Sequence, residues 1–177
     1  MALLDNKLVF DVVDASATTV MTQVKTQELK GRLIPFYPAS NPIGALTDVV
    51  INAAGQQRSI GVLRLWGHGT LEPHPGGNAI LSATRGGGGF DLDEMLTDSA
   101  QAALPRLKPY FATGARVEFK HCRVATPAGW DWLVYLANQW DVEIHASARL
   151  QHLCSWSGDV YSVKPGRTPV LTRGIDP

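Results

Sequence analysis

Short apolar runs alternate along this chain with segments in which apolar residues recur at helical spacing. The apolar runs cover residues 7–13, 32–37, 60–66, 116–120 and 142–146, and each is short enough and β-branched enough to predict a strand. Strands that alternate with helices are typical of a parallel sheet with helices packed on its faces. The pattern therefore predicts an α/β fold, a three-layer α/β/α sandwich with a mostly parallel central sheet.

The details of the pattern refine this prediction. The run at 60–66 is apolar almost throughout and predicts a central strand, whereas Pro35 places the run at 32–37 at a sheet edge. Val117 and Phe119 alternate with Glu118 and Lys120, which predicts that one face of that strand is less buried. Residues 159–172 predict a strand, a turn at Pro165-Gly166 and another strand.

The clearest helix begins at Asn41 and Pro42, an N-cap followed by proline at the first helical position, and ends at Gly55. Weaker patterns predict helices over residues 16–30, 91–107 and 127–140. In the second of these, Asp91 and Glu94 form a predicted capping box and Pro105 a kink or restart. Its buried stripe is predicted to contain Leu92, Met95, Leu96, Ala103, Leu104 and Leu107.

Composition and charge narrow the classes of function. Lys plus Arg and Asp plus Glu both number 16, and no long run of one charge occurs, so neither a nucleic-acid partner nor a membrane surface is indicated. No apolar run approaches the roughly 20 residues of a membrane-spanning helix, and the start lacks the pattern of a secretory signal. We expect one domain over residues 1–177, with its core at 7–172, in the cytoplasm; export without a signal peptide stays open.

Two of the predicted strands end on a chemically active side chain. His68 follows the strand at 60–66, and Cys122 follows the strand at 116–120. If these strands are parallel neighbours, the histidine and the thiol meet at the carboxyl edge of the sheet, where open α/β sheets carry their sites. A thiolate next to a base is the nucleophile of cysteine hydrolases. Gly69 has a backbone N–H that suits a developing oxyanion.

Blander interpretations exist for each residue. A single cysteine is more often a small core residue than a nucleophile, and a single histidine is more often structural. A zinc site built from His68, His121 and Cys122 lacks any zinc-binding spacing. The glycine-rich segment at 70–89 is predicted to be a functional or mobile loop with one strand at 79–83, and its glycine run does not match a phosphate-binding loop. The tryptophans are predicted to be core aromatics.

The order of these elements resembles the caspase-like (clan CD) cysteine peptidase fold. The resemblance is carried by LRLWGHGT at 63–70, VEFKHCRV at 117–124 and GWDWLVYLANQWDVEIHAS at 129–147. The last stretch is similar to bacterial caspase-like domains of the CHAT and related groups. As an order of elements, the resemblance covers residues 7–172 and implies caspase-like topology.

The resemblance also implies roles for individual residues. Cys122 would be the nucleophile and His68 the base that later protonates the leaving amine, with the N–H groups of Gly69 and Cys122 forming the oxyanion hole. The chain departs from the family pattern at His121, where many members have a small residue before the cysteine. Its bulky ring either crowds the strand end or points to the opposite face, because side chains alternate along a strand.

The same resemblance implies a substrate pocket lined by Asp14, Ser147 and Ala148. A buried carboxylate at Asp14 would favour a basic substrate residue, although Asp14 is also placed to be a helix N-cap.

We therefore expect a cysteine endopeptidase that acts on a protein or peptide substrate and requires no metal or other cofactor. The alternative is an inactive caspase-like domain that binds proteins or acts as a scaffold. A third interpretation is a flavodoxin-like module that binds a small ligand in the same crevice.

Overall fold

A seven-stranded mixed sheet forms the centre of the protein. The structure, a computed structural model, describes residues 7–15, 18–25, 31–37, 41–68, 79–80, 89–90, 95–121, 124–149, 156 and 158–172. The strands in chain order are β1 (Leu8–Asp14), β2 (Arg32–Phe36), β3 (Ile60–Trp66), β4 (Ala79–Ile80), β5 (Gly89–Phe90), β6 (Phe111–Lys120), β7 (Glu143–Ser147), β8 (Val160–Val163) and β9 (Val170–Thr172).

The order of strands in the main sheet is β2-β1-β3-β6-β7-β8-β9. Five adjacent strands are parallel to one another: β2, β1, β3, β6 and β7. Strand β8 pairs antiparallel with β7, and β9 pairs antiparallel with β8. Strand β2 lies at the edge, as Pro35 predicted, and β3 is central. Strands β4 and β5 form a separate antiparallel pair. The fold is thus α/β with a mostly parallel sheet, as the alternation of strands and helices predicted.

Four α-helices belong to the described residues: α1 (Thr18–Lys25), α2 (Pro42–Ala54), α3 (Asp98–Ala103) and α4 (Trp130–Trp140). Helix α3 continues as a 3₁₀ helix over Leu104–Tyr110, so the change of geometry falls next to Pro105, where the sequence predicted a kink. A 3₁₀ turn at Pro127–Gly129 precedes α4.

The best predicted helix, α2, has the predicted start and end. The Asn41 side chain accepts a hydrogen bond from the Gly44 N–H at 2.9 Å, and Pro42 occupies the first turn. Gly55 ends the helix with a backbone φ of 57°, a conformation that residues other than glycine rarely adopt.

The two faces of the sheet differ in what covers them. On one face, apolar residues of the central strands pack against α2, α3, the 3₁₀ helix and α4 in the main core. On the other face, Val13 and Trp66 pack with Val24 of α1 in a smaller cluster. Helices therefore lie on both sides of the sheet, which is compatible with the predicted three-layer sandwich.

Three sequence predictions need comment. Leu96 was expected in a buried stripe but is exposed, because α3 begins only after Thr97, whose side chain accepts a hydrogen bond from the Ala100 N–H. The less buried face expected at Glu118 and Lys120 is also wrong, since these residues are 1% and 7% exposed. The predicted capping box of Asp91 and Glu94 lies outside the described residues.

None of the described helices has the length and apolar character needed to cross a membrane.

We expect Asn41→Ala to lower the free energy of unfolding by about 1 kcal/mol, because the Gly44 N–H loses its side-chain acceptor. Asn41→Asp keeps an acceptor at the same place and is the matched control. Urea unfolding of the three proteins measures the difference. Equal stability of the alanine and aspartate variants would contradict the capping role.

Candidate functional site at the carboxyl edge of the sheet

The two strands that precede His68 and Cys122 are parallel neighbours. Strands β3 and β6 pair from Val62 to Trp66, with Trp66 opposite Lys120 at their carboxyl ends. His68 lies two residues after Trp66 and is exposed, while Gly67 before it is buried. Cys122 and Gly69 lie outside the described residues. The pairing that the sequence argument required between the two strands is therefore present.

His121 directly follows β6 and is fully buried. Its ring centroid lies 5.9 Å from that of Phe119, which in turn makes an edge-to-face contact with Trp132 of α4 at 5.2 Å. Because Phe119 belongs to the main core, the His121 ring lies beside it on the face of the sheet that carries this core. Of the two alternatives for this ring, the structure has it on the face opposite to Lys120.

The residues expected in the substrate pocket occupy the ends of two other strands. Asp14 ends β1 and is 2% exposed, and the N–H of the next residue, Ala15, donates to the Phe36 carbonyl at 2.8 Å. Ser147 ends β7 and is fully buried, with its hydroxyl accepting from the Arg149 N–H. Ala148 is half-buried. All three lie at carboxyl ends of strands, and their contact with a substrate stays a prediction.

A row of buried polar residues crosses the sheet on the face opposite to the main core. Asp11, Arg64, Glu118 and His145 are register partners on β1, β3, β6 and β7, and we call them the buried charged row. Each is less than one-tenth exposed. Arg64 lies 3.4 Å from the Asp11 carboxylate and 3.2 Å from that of Glu118, so it joins three strands.

Glu118 is the centre of this row because three cations surround its carboxylate. Arg116 Nε lies 2.6 Å from Oε1, while Arg64 Nε and Lys120 Nζ lie 3.2 and 3.3 Å from Oε2. Burial by itself raises the pKa of Glu118, but Lys120, Arg116 and Arg64 together hold the pKa below its usual range. The carboxylate is therefore ionised although it is almost inaccessible.

Lys120 lies next to this row, two residues beyond Glu118 at the carboxyl end of β6. Its ammonium is 3.5 Å from the ring centroid of Trp156 and 5.8 Å from that of Trp66. Burial lowers the pKa of Lys120, and the attraction of Glu118 opposes that shift. The Trp156 N–H in turn donates to the Phe119 carbonyl at 3.5 Å. Two indole rings and one carboxylate thus replace water around this charge.

His145 stacks on Trp156, the same indole ring that Lys120 contacts. Its ring centroid lies 6.1 Å from that of Trp156 at an interplanar angle of 23°, and Nε2 lies 3.5 Å from the Glu143 carboxylate. Burial lowers the pKa of His145 against the opposing attraction of Glu143 and Glu118. The neutral ring is thereby favoured near neutral pH.

The buried charged row was not among the features predicted from the sequence. A signal was present, because Asp11 and Arg64 each interrupt an otherwise apolar strand and Glu118 and His145 occupy the middle of theirs. What the sequence does not show is that the four positions are in register. Among the described residues, no group of three or more His, Cys, Asp and Glu side chains is arranged to hold a metal ion.

Comparison with known proteins adds no relative to this picture. No protein-family model, no curated protein and no solved structure matches the chain.

Glu118→Gln is expected to destabilise the protein by about 3–5 kcal/mol, because the buried Arg64 and Lys120 and the partly exposed Arg116 lose their shared carboxylate. Asp48→Asn is the matched control, since the pair of Asp48 with Arg106 is about half exposed on both sides and the expected loss is below about 1 kcal/mol. Urea unfolding gives both values. Similar losses for the two variants would show that the buried network contributes no more than a surface pair.

The lowered pKa of His145 makes stability depend on pH. Around pH 6 the unfolded chain binds a proton at this residue more readily than the folded protein, whose pKa lies below the ordinary value of 6.5. The free energy of unfolding therefore falls as the pH decreases through 6.5, by up to about 1.4 kcal/mol per pH unit.

His145→Gln is expected to remove this contribution, so the stability difference between wild type and variant should shrink as the pH is lowered from 8 to 5. Glu118 does not confound the comparison, because its own contribution to stability is lost only below its ordinary pKa of 4.5. Parallel stability curves for the two proteins over this range would contradict the assignment.

Proposed function

We propose that this protein is a caspase-like cysteine endopeptidase in which Cys122 is the nucleophile and His68 its base. The observation that carries the proposal is the parallel pairing of β3 and β6 with Trp66 opposite Lys120. Because of this register, the segments that contain His68 and Cys122 both begin at the same edge of the sheet, on adjacent strands. The exposure of His68 supports a role in contact with substrate.

The arrangement of elements supports caspase-like topology. After β3 come Gly67 and His68, the β4–β5 pair, helix α3, β6, helix α4 and β7. This is the order on which the resemblance rests: a strand followed by HG, a hairpin, a helix, a strand before the cysteine, a helix and a strand. Adjacent parallel strands at the centre of the sheet also satisfy the general rule that sites of open α/β sheets lie beyond the carboxyl ends of strands.

The proposed reaction follows the chemistry of thiol hydrolases. The Cys122 thiolate attacks the carbonyl carbon of the scissile peptide bond, and the N–H groups of Gly69 and Cys122 stabilise the oxyanion that forms. His68 gives a proton to the leaving amine as the C–N bond breaks, which leaves a thioester on Cys122. His68 then takes a proton from a water molecule whose oxygen attacks the thioester. The C–S bond breaks, which releases the acid product and leaves the Cys122 thiolate beside protonated His68, as at the start.

Substrate selection in this proposal involves the neighbouring strand ends. The carboxylate of Asp14 is buried beside them and would pair with a basic substrate residue. Ser147 and Ala148 would border the pocket where β7 ends. Because the Ser147 side chain is buried, the substrate would contact the backbone at this strand end and not the Ser147 hydroxyl.

Selective alkylation tests the proposal without knowledge of the natural substrate. At pH 7, iodoacetamide is expected to react with Cys122 faster than with Cys154, because only a thiol beside a base is activated. His68→Ala should reduce the rate at Cys122 toward that at Cys154. In peptide cleavage assays, His68→Ala should lose roughly 10²–10⁴-fold in rate.

Cys122→Ala should abolish cleavage, and Cys154→Ala is the matched control that keeps it. A Cys122→Ala variant with full proteolytic activity would disprove the mechanism. Equal, slow alkylation of both thiols in the wild type would instead favour the alternative of an inactive domain that serves as a scaffold.

A further inference from the structure

Five side chains of three adjacent strands form a closed circuit on the polar face of the sheet. The Trp66 N–H donates to Asp11 Oδ1 at 2.9 Å, and the Lys120 ammonium lies over the Trp66 ring at 5.8 Å. Lys120 contacts Glu118 at 3.3 Å, Glu118 contacts Arg64 at 3.2 Å, and Arg64 returns to Asp11 at 3.4 Å. We call these five residues the side-chain circuit.

Two members of the circuit precede the residues of the proposed dyad by two positions each. Trp66 and Lys120 are register partners and the last residues of their strands. His68 follows Trp66 by two residues, and Cys122 follows Lys120 by two residues. Two residues of chain span at most about 7 Å even when fully extended. The backbone positions of the dyad are therefore limited by where these two strand ends are held.

The circuit is costly to bury. An ionised side chain that leaves water loses several kcal/mol of solvation, and well-packed apolar residues of the same size often serve stability equally well. Lys120 shows the cost most directly, since among the described residues the Glu118 carboxylate at 3.3 Å is the one polar group that contacts its buried Nζ. It is held by one carboxylate and two indole rings. Such a network is better suited to fixing one register and one spacing than to adding stability.

We propose that the side-chain circuit positions the His68–Cys122 pair, and that Lys120 is its positioning residue. The inference rests on the proposed function, because it assigns the circuit a task in that reaction. Lys120 joins the end of β6 to the end of β3 through Trp66, and Glu118 and Arg64 join both strands to β1. In addition to the backbone pairing of the two strands, one ammonium group thus links their ends on this face of the sheet.

The test replaces Lys120 by methionine, which keeps the length of the side chain and removes its charge. The fold should survive, because Glu118 keeps Arg64 and Arg116 as partners. Lys108→Met is the matched control, since Lys108 is an exposed lysine paired with Asp141. In the full-length chain, iodoacetamide at pH 7 gives the ratio of the alkylation rate at Cys122 to that at Cys154.

This ratio should fall by about tenfold to a hundredfold in Lys120→Met, because misplacement of reacting groups by about 1 Å has effects of that size. It should not change in Lys108→Met. Because a general loosening of the structure would also bring the two rates together, the ratio is interpreted only for variants that unfold cooperatively in urea. Trp66→Phe, which keeps the aromatic ring and removes the hydrogen bond to Asp11, should lower the ratio by a smaller factor.

The outcomes separate the two proposals. If wild type alkylates Cys122 selectively and Lys120→Met does so equally well while unfolding cooperatively, the positioning role is wrong and the proposed dyad stands. If Lys120→Met does not unfold cooperatively, Trp66→Phe decides, and an unchanged ratio in that variant overturns the inference. If wild type shows no selectivity, the proposed function fails and the positioning role fails with it.

Discussion

The carboxylate of Glu118 is the constraint on which the rest of this structure depends. It is 1% exposed near the carboxyl end of the central strand β6, and an ionised group in that position is tolerated only with partners in place. Arg116 supplies one from the same strand, Lys120 another, and Arg64 a third from β3. The register of β3 against β6 therefore has an electrostatic requirement as well as a steric one.

That requirement is strict because side chains alternate between the faces of a strand. A shift of β3 by one residue would turn Arg64 toward the helices of the main core and bring Leu63 or Leu65 opposite Glu118. Apolar residues alone permit several registers of nearly equal packing. The buried charged row distinguishes among them, and with the register it determines which residues leave the sheet together at the carboxyl edge.

The sequence predicted much of the fold and only part of the site. Helix α2 was predictable because Asn41, Pro42 and Gly55 determine its ends locally. Strand β3 was predictable because its run is apolar at almost every position. The burial of Glu118 and Lys120 was not, because a period of two separates the faces of a strand without showing which is covered. Their partners Asp11, Arg64 and Trp156 come from distant parts of the chain. The parallel pairing of β3 with β6 was a condition of the hypothesis that His68 and Cys122 act together, and the structure meets that condition.

The buried charges of the polar face coexist with a stable sheet because the apolar core is built elsewhere. The main core lies on the other face, where Phe119, Trp132 and their neighbours pack without any charge, so most of the apolar burial is independent of the circuit. Even His121, next to the proposed nucleophile, lies in that core and not with Lys120. Alternate residues of β6 thus belong either to the apolar core or to the charged contacts of the other face. A change confined to the polar residues can then alter the geometry of the edge while the apolar core keeps the sheet folded.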